Sequence, residues 1–240
     1  MSMMFATPLS ATEPPALHRL SRIAPLGEAA RAMVEAAVRD SRRVSMRREL
    51  LTEGRALPEP MLLVSGWAAR VRILVDGRRQ FLSFLLPGDL IGLCRHDRPL
   101  AVSTVQTLTD VKVATAPDSD LSDLHQAYAA SNALEEAYLL AQITRLGRLN
   151  ALDRICDLML EIHERLALAD LIQGRSFEVP LTQEMLADAL GLTPVHINRM
   201  LQQARRDGDL EWRGSRVTLS DPAALARRIG RTPARVSADV

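Results

Sequence analysis

Residues 181–201 read LTQEMLADALGLTPVHINRML. The stretch predicts two short helices joined by a tight turn. Thr182 is an N-cap residue, and Gln183 and Glu184 put acceptors and negative charge into the turn that follows. Leu186, Ala187 and Leu190 recur at helical spacing, and Gly191 ends that helix as a residue free to take positive φ. Thr193 caps a second helix whose first position is Pro194, where the missing N–H is harmless. Ile197, Met200, Leu201 and Ala204 form its apolar stripe, which leaves Val195, His196, Asn198, Arg199 and Gln202 facing outward. That outward set carries donors, acceptors and a methyl surface, the groups that base edges in a DNA groove can pair with. His196 either touches DNA or caps the start of its helix.

Working outward, Leu210 to Leu219 reads LEWRGSRVTL, two strand-like runs around a Gly-Ser turn. A helix-turn-helix followed by a β-hairpin is a winged helix, and Arg213 and Arg216 flank the turn, where a wing meets phosphates. Upstream, residues 120–168 contain a single glycine and no proline. Leu134, Ala137, Tyr138, Ala141 and Thr144 form one stripe there, and Leu139, Ile143, Leu146 and Leu149 form another. A helix with two apolar faces packs on two things. The β-rich part of its own chain is one, and a second subunit is the other. Asn150 is placed to cap a new helix from Ala151 to about Leu168. From about Val44 to Ala116 the texture changes. Gly54, Gly66, Gly77 and Gly88 recur at nearly even spacing between strand-like runs, and Asp76-Gly77 is a hairpin signal. Turns at this spacing predict a small all-β sandwich or barrel. Leu26 to Val38 predicts a short amphipathic helix. Residues 1–15 and the residues after Gly230 read as loose.

The bulk numbers set limits. A chain of 240 residues suits two modest domains. Hydrophobic content of 47% supports real cores, but aromatic content of 3% means they are built from Leu, Val, Ile, Ala and Met. A net charge of +1 argues against a strongly basic, sequence-blind nucleic-acid binder and leaves room for a specific one with a local basic patch. Lys112 is the sole lysine. Two cysteines far apart, Cys94 and Cys156, make no disulfide framework and fit a reducing compartment. No stretch has the build of a signal peptide or approaches the ~20 apolar residues of a bilayer span. The expected location is the cytoplasm.

In order, three parts resemble the CRP/FNR family of bacterial transcription regulators: the glycine-punctuated segment ending in Pro87-Gly88-Asp89-Leu90-Ile91-Gly92, the long helix, and the 181–201 motif with its hairpin. The resemblance covers nearly the whole chain. It implies an α+β fold: an N-terminal, jelly-roll-like β-roll sensor domain over 16–125, a dimerisation helix over 126–149, and a C-terminal winged helix-turn-helix over 150–230. It further implies a homodimer on a two-fold-symmetric site in double-stranded DNA, one recognition helix per half-site, in contact with RNA polymerase. Arg199 matches the family's guanine-reading arginine, and Thr182 a phosphate-touching position. Thr193, Val195, His196, Asn198, Gln202, Arg213 and Arg216 complete the candidate DNA-binding set. Two positions depart. Val195 stands where many members carry glutamate, and Pro194 where the catabolite activator carries arginine.

The sensor pocket departs further. Members that bind cyclic AMP follow Gly-Asp with Gly-Glu for the ribose and Arg-Ser for the phosphate. Here Gly92 is followed by Leu93, and Ala101-Val102 fall where Arg-Ser would lie. A phosphate buried without its arginine is a costly unpaired charge, so cyclic AMP is not expected as the signal. No cofactor or metal is expected either. An iron–sulfur cluster needs about four thiolates, and Cys94-Arg95-His96 supplies one Cys and one His. That segment reads as a surface loop, and Cys156 as a small buried hydrophobe. The effector stays open between none at all and something apolar or redox-active sensed near Cys94. The chain has no G-x-S-x-G, P-loop or HExxH, so an enzyme is not expected. The rival reading is an effector-binding or scaffold module that has lost DNA binding, and the recognition helix with Arg199 weighs against it.

Overall fold

The structure, a computed structural model, describes residues 13–236. Two helices open it, α1 (Pro15–Ile23) and α2 (Glu28–Arg39). Eight short strands follow: β1 (Arg42–Val44), β2 (Glu49–Leu51), β3 (Met61–Ser65), β4 (Ala68–Ile73), β5 (Arg79–Leu85), β6 (Leu90–Ile91), β7 (Thr104–Thr107) and β8 (Val111–Thr115). Then come the long helix α3 (Ser122–Arg148) and α4 (Ala151–Leu168). The C-terminal part holds β9 (Ile172–Gln173), β10 (Ser176–Glu178), α5 (Gln183–Leu190), α6 (Pro194–Arg206), β11 (Leu210–Arg213), β12 (Arg216–Leu219) and α7 (Pro222–Ile229). No helix among the described residues is long and apolar enough to cross a membrane.

The β-rich half is two four-stranded antiparallel sheets in the orders β1-β8-β3-β6 and β2-β7-β4-β5. Strand alternation sorts its side chains into layers. Met61, Leu63, Val111 and Val113 meet Ala68, Leu85 and Val105 between the sheets. Leu62 and Leu90 point the other way, onto α1, α2 and the start of α3. On the second sheet, Ala69, Val71, Phe81 and Phe84 face the C-terminal half and share one apolar cluster with α4, α5 and α6. Phe81 and Phe84 reach the same face because the β4–β5 register slips at Leu82: Arg70 pairs Ser83, but Val71 pairs Phe81. The Asp76-Gly77 turn joins these strands as expected, but β4 ends at Ile73, and Ile73, Leu74 and Val75 are exposed at the hairpin tip.

A chain of buried charges threads the same interface. Asp89 pairs with Arg19 of α1 at 2.7 Å and Arg165 of α4 at 2.6 Å. Glu161 pairs with Arg165 at 3.3 Å and Arg145 of α3 at 2.6 Å. Asp157 pairs with Arg145 at 2.7 Å and Arg231 at 2.9 Å. Burying such pairs gains little net stability, because desolvation offsets most of the attraction. The chain selects one arrangement instead, since any other leaves a charge buried and unpaired. Gly88 belongs to it: at φ 93° its missing Cβ leaves room for the Arg19 side chain, and its carbonyl accepts from Arg19 Nη1 at 2.8 Å.

Four expectations need correction. α1 begins within the stretch read as loose; Ala16, Leu17 and Leu20 are fully buried on it, and residues 1–12 lie outside the described residues. The segment after Gly230 is anchored at Arg231, which also pairs with Glu164 at 2.7 Å; residues 237–240 lie outside the described residues. β9 and β10 were not foreseen and extend the wing sheet to the order β11-β12-β10-β9. On α3, polar Ser131, Gln142 and Arg145 join Leu134 and Tyr138 on the buried face, while Ile143 and Leu140 are exposed. Asn150 does cap α4, its side chain accepting from the Asp153 N–H at 3.0 Å.

Candidate nucleic-acid interface

Local chemistry sets the helix pair. Thr182 caps α5 by accepting from the Met185 N–H at 3.2 Å. Gly191 closes α5 in the left-handed region at φ 64°, ψ 38°, where a side chain is strained. Thr193 caps α6 by accepting from the His196 N–H at 3.2 Å, and Pro194 is the first residue of the helix. Ile197 and Ala204 are fully buried against α4, α5 and β11, and Met200 and Leu201 pack at the margin. The opposite face is bare. Val195 is 82% exposed, Asn198, Arg199 and Gln202 are exposed, and His196 is half-buried. Gln202 donates to Asn198 Oδ1 at 2.7 Å, so these two amides present as one unit. Arg199 has no acidic partner among the described residues.

The structure brings Thr182, Asn198 and Gln202 to one cleft of about 390 Å³, with Gln183, Arg205 and Trp212 beside them. Arg205 was missed in the sequence; it lies three residues past Gln202 and seven past Asn198, so continuing the same helical face finds it. The wing arginines are not free. Arg213 donates to Glu211 at 2.7 Å, and Arg205 lies 3.5 Å from the same carboxylate. Arg216 donates to Glu178 at 3.1 Å, and Ser215 donates to Glu178 as well. The Ser215 hydroxyl and then Arg216 hold the Glu178 carboxyl below its usual range. A phosphate at the wing therefore competes with carboxylates already in place, a cost that the isolated motif does not reveal.

A second concavity, of about 440 Å³, lies between the β-roll and α3. Leu51, Leu57, Leu82, Leu93, Leu100 and Leu139 make it apolar. Its one cation, Arg70, is paired with Glu135 of α3. Cys94 is on the rim, exposed, and Cys156 is buried in α4. Burial pushes the Cys156 thiol up to about 12.

With this geometry in hand, similarity to known proteins is decisive. Residues 153–228 match the profile of the Crp-like helix-turn-helix domain, and residues 41–128 that of the cyclic nucleotide-binding domain. The transcriptional activator protein FnrL of Cereibacter sphaeroides is 30% identical over 179 residues, 70% of this chain and 71% of that protein. The chain belongs to the CRP/FNR family of bacterial transcription regulators. The nitrogen fixation regulation protein FixK of Rhizobium meliloti is 26% identical over 74% of this chain and 82% of its own. The solved structure of FixK2 from Bradyrhizobium japonicum has the same fold, with a TM-score of 0.67 over 82% of this chain and 98% of that one at 23% identity. As a CRP/FNR member the protein is a DNA-binding transcription regulator. Its relatives are regulators rather than enzymes.

Proposed function

We propose that this regulator acts as a homodimer on a two-fold-symmetric promoter site, with α6 of each protomer in a major groove. One observation carries the reading: Val195, Asn198, Arg199 and Gln202 of α6 are exposed together, and Arg199 has no acidic partner among the described residues. Arg199 forks onto a guanine in each half-site. Val195 packs on a thymine methyl and cannot accept from cytosine as a glutamate would, and Asn198 pairs with adenine. Thr182, Thr193, His196 and Gln202 serve the backbone and the groove floor, and Arg213 and Arg216 reach phosphate. The dimer forms along an exposed stripe of α3: Ala129, Ala133, Glu136, Leu140, Ile143 and Gly147, alternately four and three residues apart. That is the spacing of a coiled-coil seam. RNA polymerase is the further partner, and the cytoplasm the location. The concavity at α3 does not suit a cyclic nucleotide. Leucines dominate its lining, Arg70 is paired with Glu135, and by the family resemblance Leu93 and Ala101-Val102 fall where the ribose and phosphate partners would be needed.

The test is binding to a panel of single-base operator variants at two salt concentrations. Arg199→Ala is expected to cost roughly 1–3 kcal/mol per contact and to relax preference at one base pair per half-site. Arg213→Ala or Arg216→Ala is expected to weaken all sequences alike and to flatten the salt slope. Equal loss on every base variant with Arg199→Ala would make it a phosphate anchor and remove the assignment.

A further inference from the structure

The last turn of α5 is held by groups outside the helix pair. The final carbonyls of a helix have no partner within it. The Ala189 carbonyl accepts from Gln142 Nε2 at 2.7 Å and from Gln80 Nε2 at 3.2 Å. The Leu190 carbonyl accepts from Arg154 Nη1 at 3.0 Å. Asp188 accepts two N–H groups of Arg79, at 2.8 and 3.1 Å, and the Arg79 guanidinium lies 4.9 Å over the Phe81 ring. The donors come from three elements: Arg79 and Gln80 from β5, Gln142 from α3, and Arg154 from α4. None of them sits on α6, whose reading face stays clear.

Gln142 is the most constrained of the four. It is buried, its amide oxygen accepts from Arg145, and Arg145 is itself held by Asp157 and Glu161. With the oxygen committed, the NH₂ group is aimed at Ala189. Gln142 also lies on α3, the helix that carries the exposed seam. A direct hydrogen bond therefore joins the seam helix to the end of α5, and the tight turn at Gly191 passes that position on to α6.

We propose that Gln142, Arg79 and Gln80 are positioning residues for DNA recognition, setting the separation of the two recognition helices and so the half-site spacing the dimer accepts. This rests on the homodimer reading above. In a two-fold dimer each α6 stands at a distance from the axis fixed by the angle between α3 and the α5–α6 pair. Polar bonds with one good geometry hold an angle better than apolar contact, which tolerates sliding.

The experiment measures binding of the full-length protein to symmetric sites with the native half-site spacing, and with one base pair added or removed. Wild type is expected to discriminate strongly against the altered spacings. The surface variant Arg79→Ala/Gln80→Ala, and separately Gln142→Met, are expected to lose about tenfold of that discrimination. Base preference and salt slope should stay unchanged, since none of the three residues lies on α6 or the wing. Combining Arg79→Asp with Asp188→Arg should restore discrimination that Arg79→Asp alone loses. If the folded surface variant keeps wild-type spacing discrimination, the proposal fails. If the salt slope drops by about one, Arg79 is a phosphate contact instead and the proposal also fails. If wild type itself shows no spacing preference, the homodimer reading falls, and the proposal with it.

Discussion

At the scale of single residues, Asp89 is the most consequential side chain outside the reading helix. Burial raises its carboxyl, but Arg19, Arg165 and the Leu86 N–H outweigh that and hold it below its ordinary range. The unfolded chain thus binds a proton on Asp89 at pH values where the folded chain does not. The stability tied to this group is present above the ordinary carboxylate pKa, about 4, and is lost as pH falls through the folded value. Asp89→Asn takes the paired carboxylate from buried Arg19 and leaves buried Arg165 with Glu161 alone, so a loss of about 3–5 kcal/mol is expected in urea unfolding at neutral pH, with weaker dependence on acid below it. A loss under about 1 kcal/mol, the worth of an exposed pair, would show that Arg19 and Arg165 find other partners. Residue-level reading of the sequence succeeded where the chemistry is local. Thr182, Gly191, Thr193 and Pro194 each act on neighbours within a few positions, and all four do in the structure what their types predict. It failed at Arg19 and Arg231, because a buried arginine is stable only beside carboxylates that lie 70 and 74 positions away in the chain.

At the scale of elements, α3 shows what periodicity can and cannot decide. Two apolar stripes were legible in the sequence. Which stripe faces out was not, because Gln142 and Arg145 take the inner face through bonds to Ala189, Asp157 and Glu161. Ala141, which the sequence put on a packing face, is only half-buried, and the large exposed apolar side chains of α3 are Leu140 at 58% and Ile143 at 67%. Leu140→Glu combined with Ile143→Glu is accordingly expected to give monomers by sedimentation. Loss of the second recognition helix should lower operator affinity about a hundredfold or more. A variant that sediments as an unchanged dimer would move the interface to another face. α1 escaped notice for a related reason: Pro14 and Pro15 read as loop, yet proline suits a helix start, and the covering partner, Leu62 of β3, is remote.

At the scale of the whole molecule, the apolar concavity lies against α3, and the buried apolar residues of its lining belong to clusters distinct from the one that holds α6. A ligand that binds only the folded state at a hundred times its Kd stabilises it by about 2.7 kcal/mol. Cyclic AMP at millimolar concentration is expected to leave the melting temperature of this protein unchanged, and a rise of several degrees would overturn the reading of the pocket. The core shared by the β4–β5 face and the winged helix has one more consequence. Trp67, Phe81 and Phe84 are buried in one apolar cluster with residues of α4 and α5. The DNA-reading half is therefore not a portable cassette. Grafted onto a foreign sensor it would arrive without its aromatic floor, and the sensor left behind would present three bare rings to water, so chimeras of this regulator need the sheet face redesigned together with the helices.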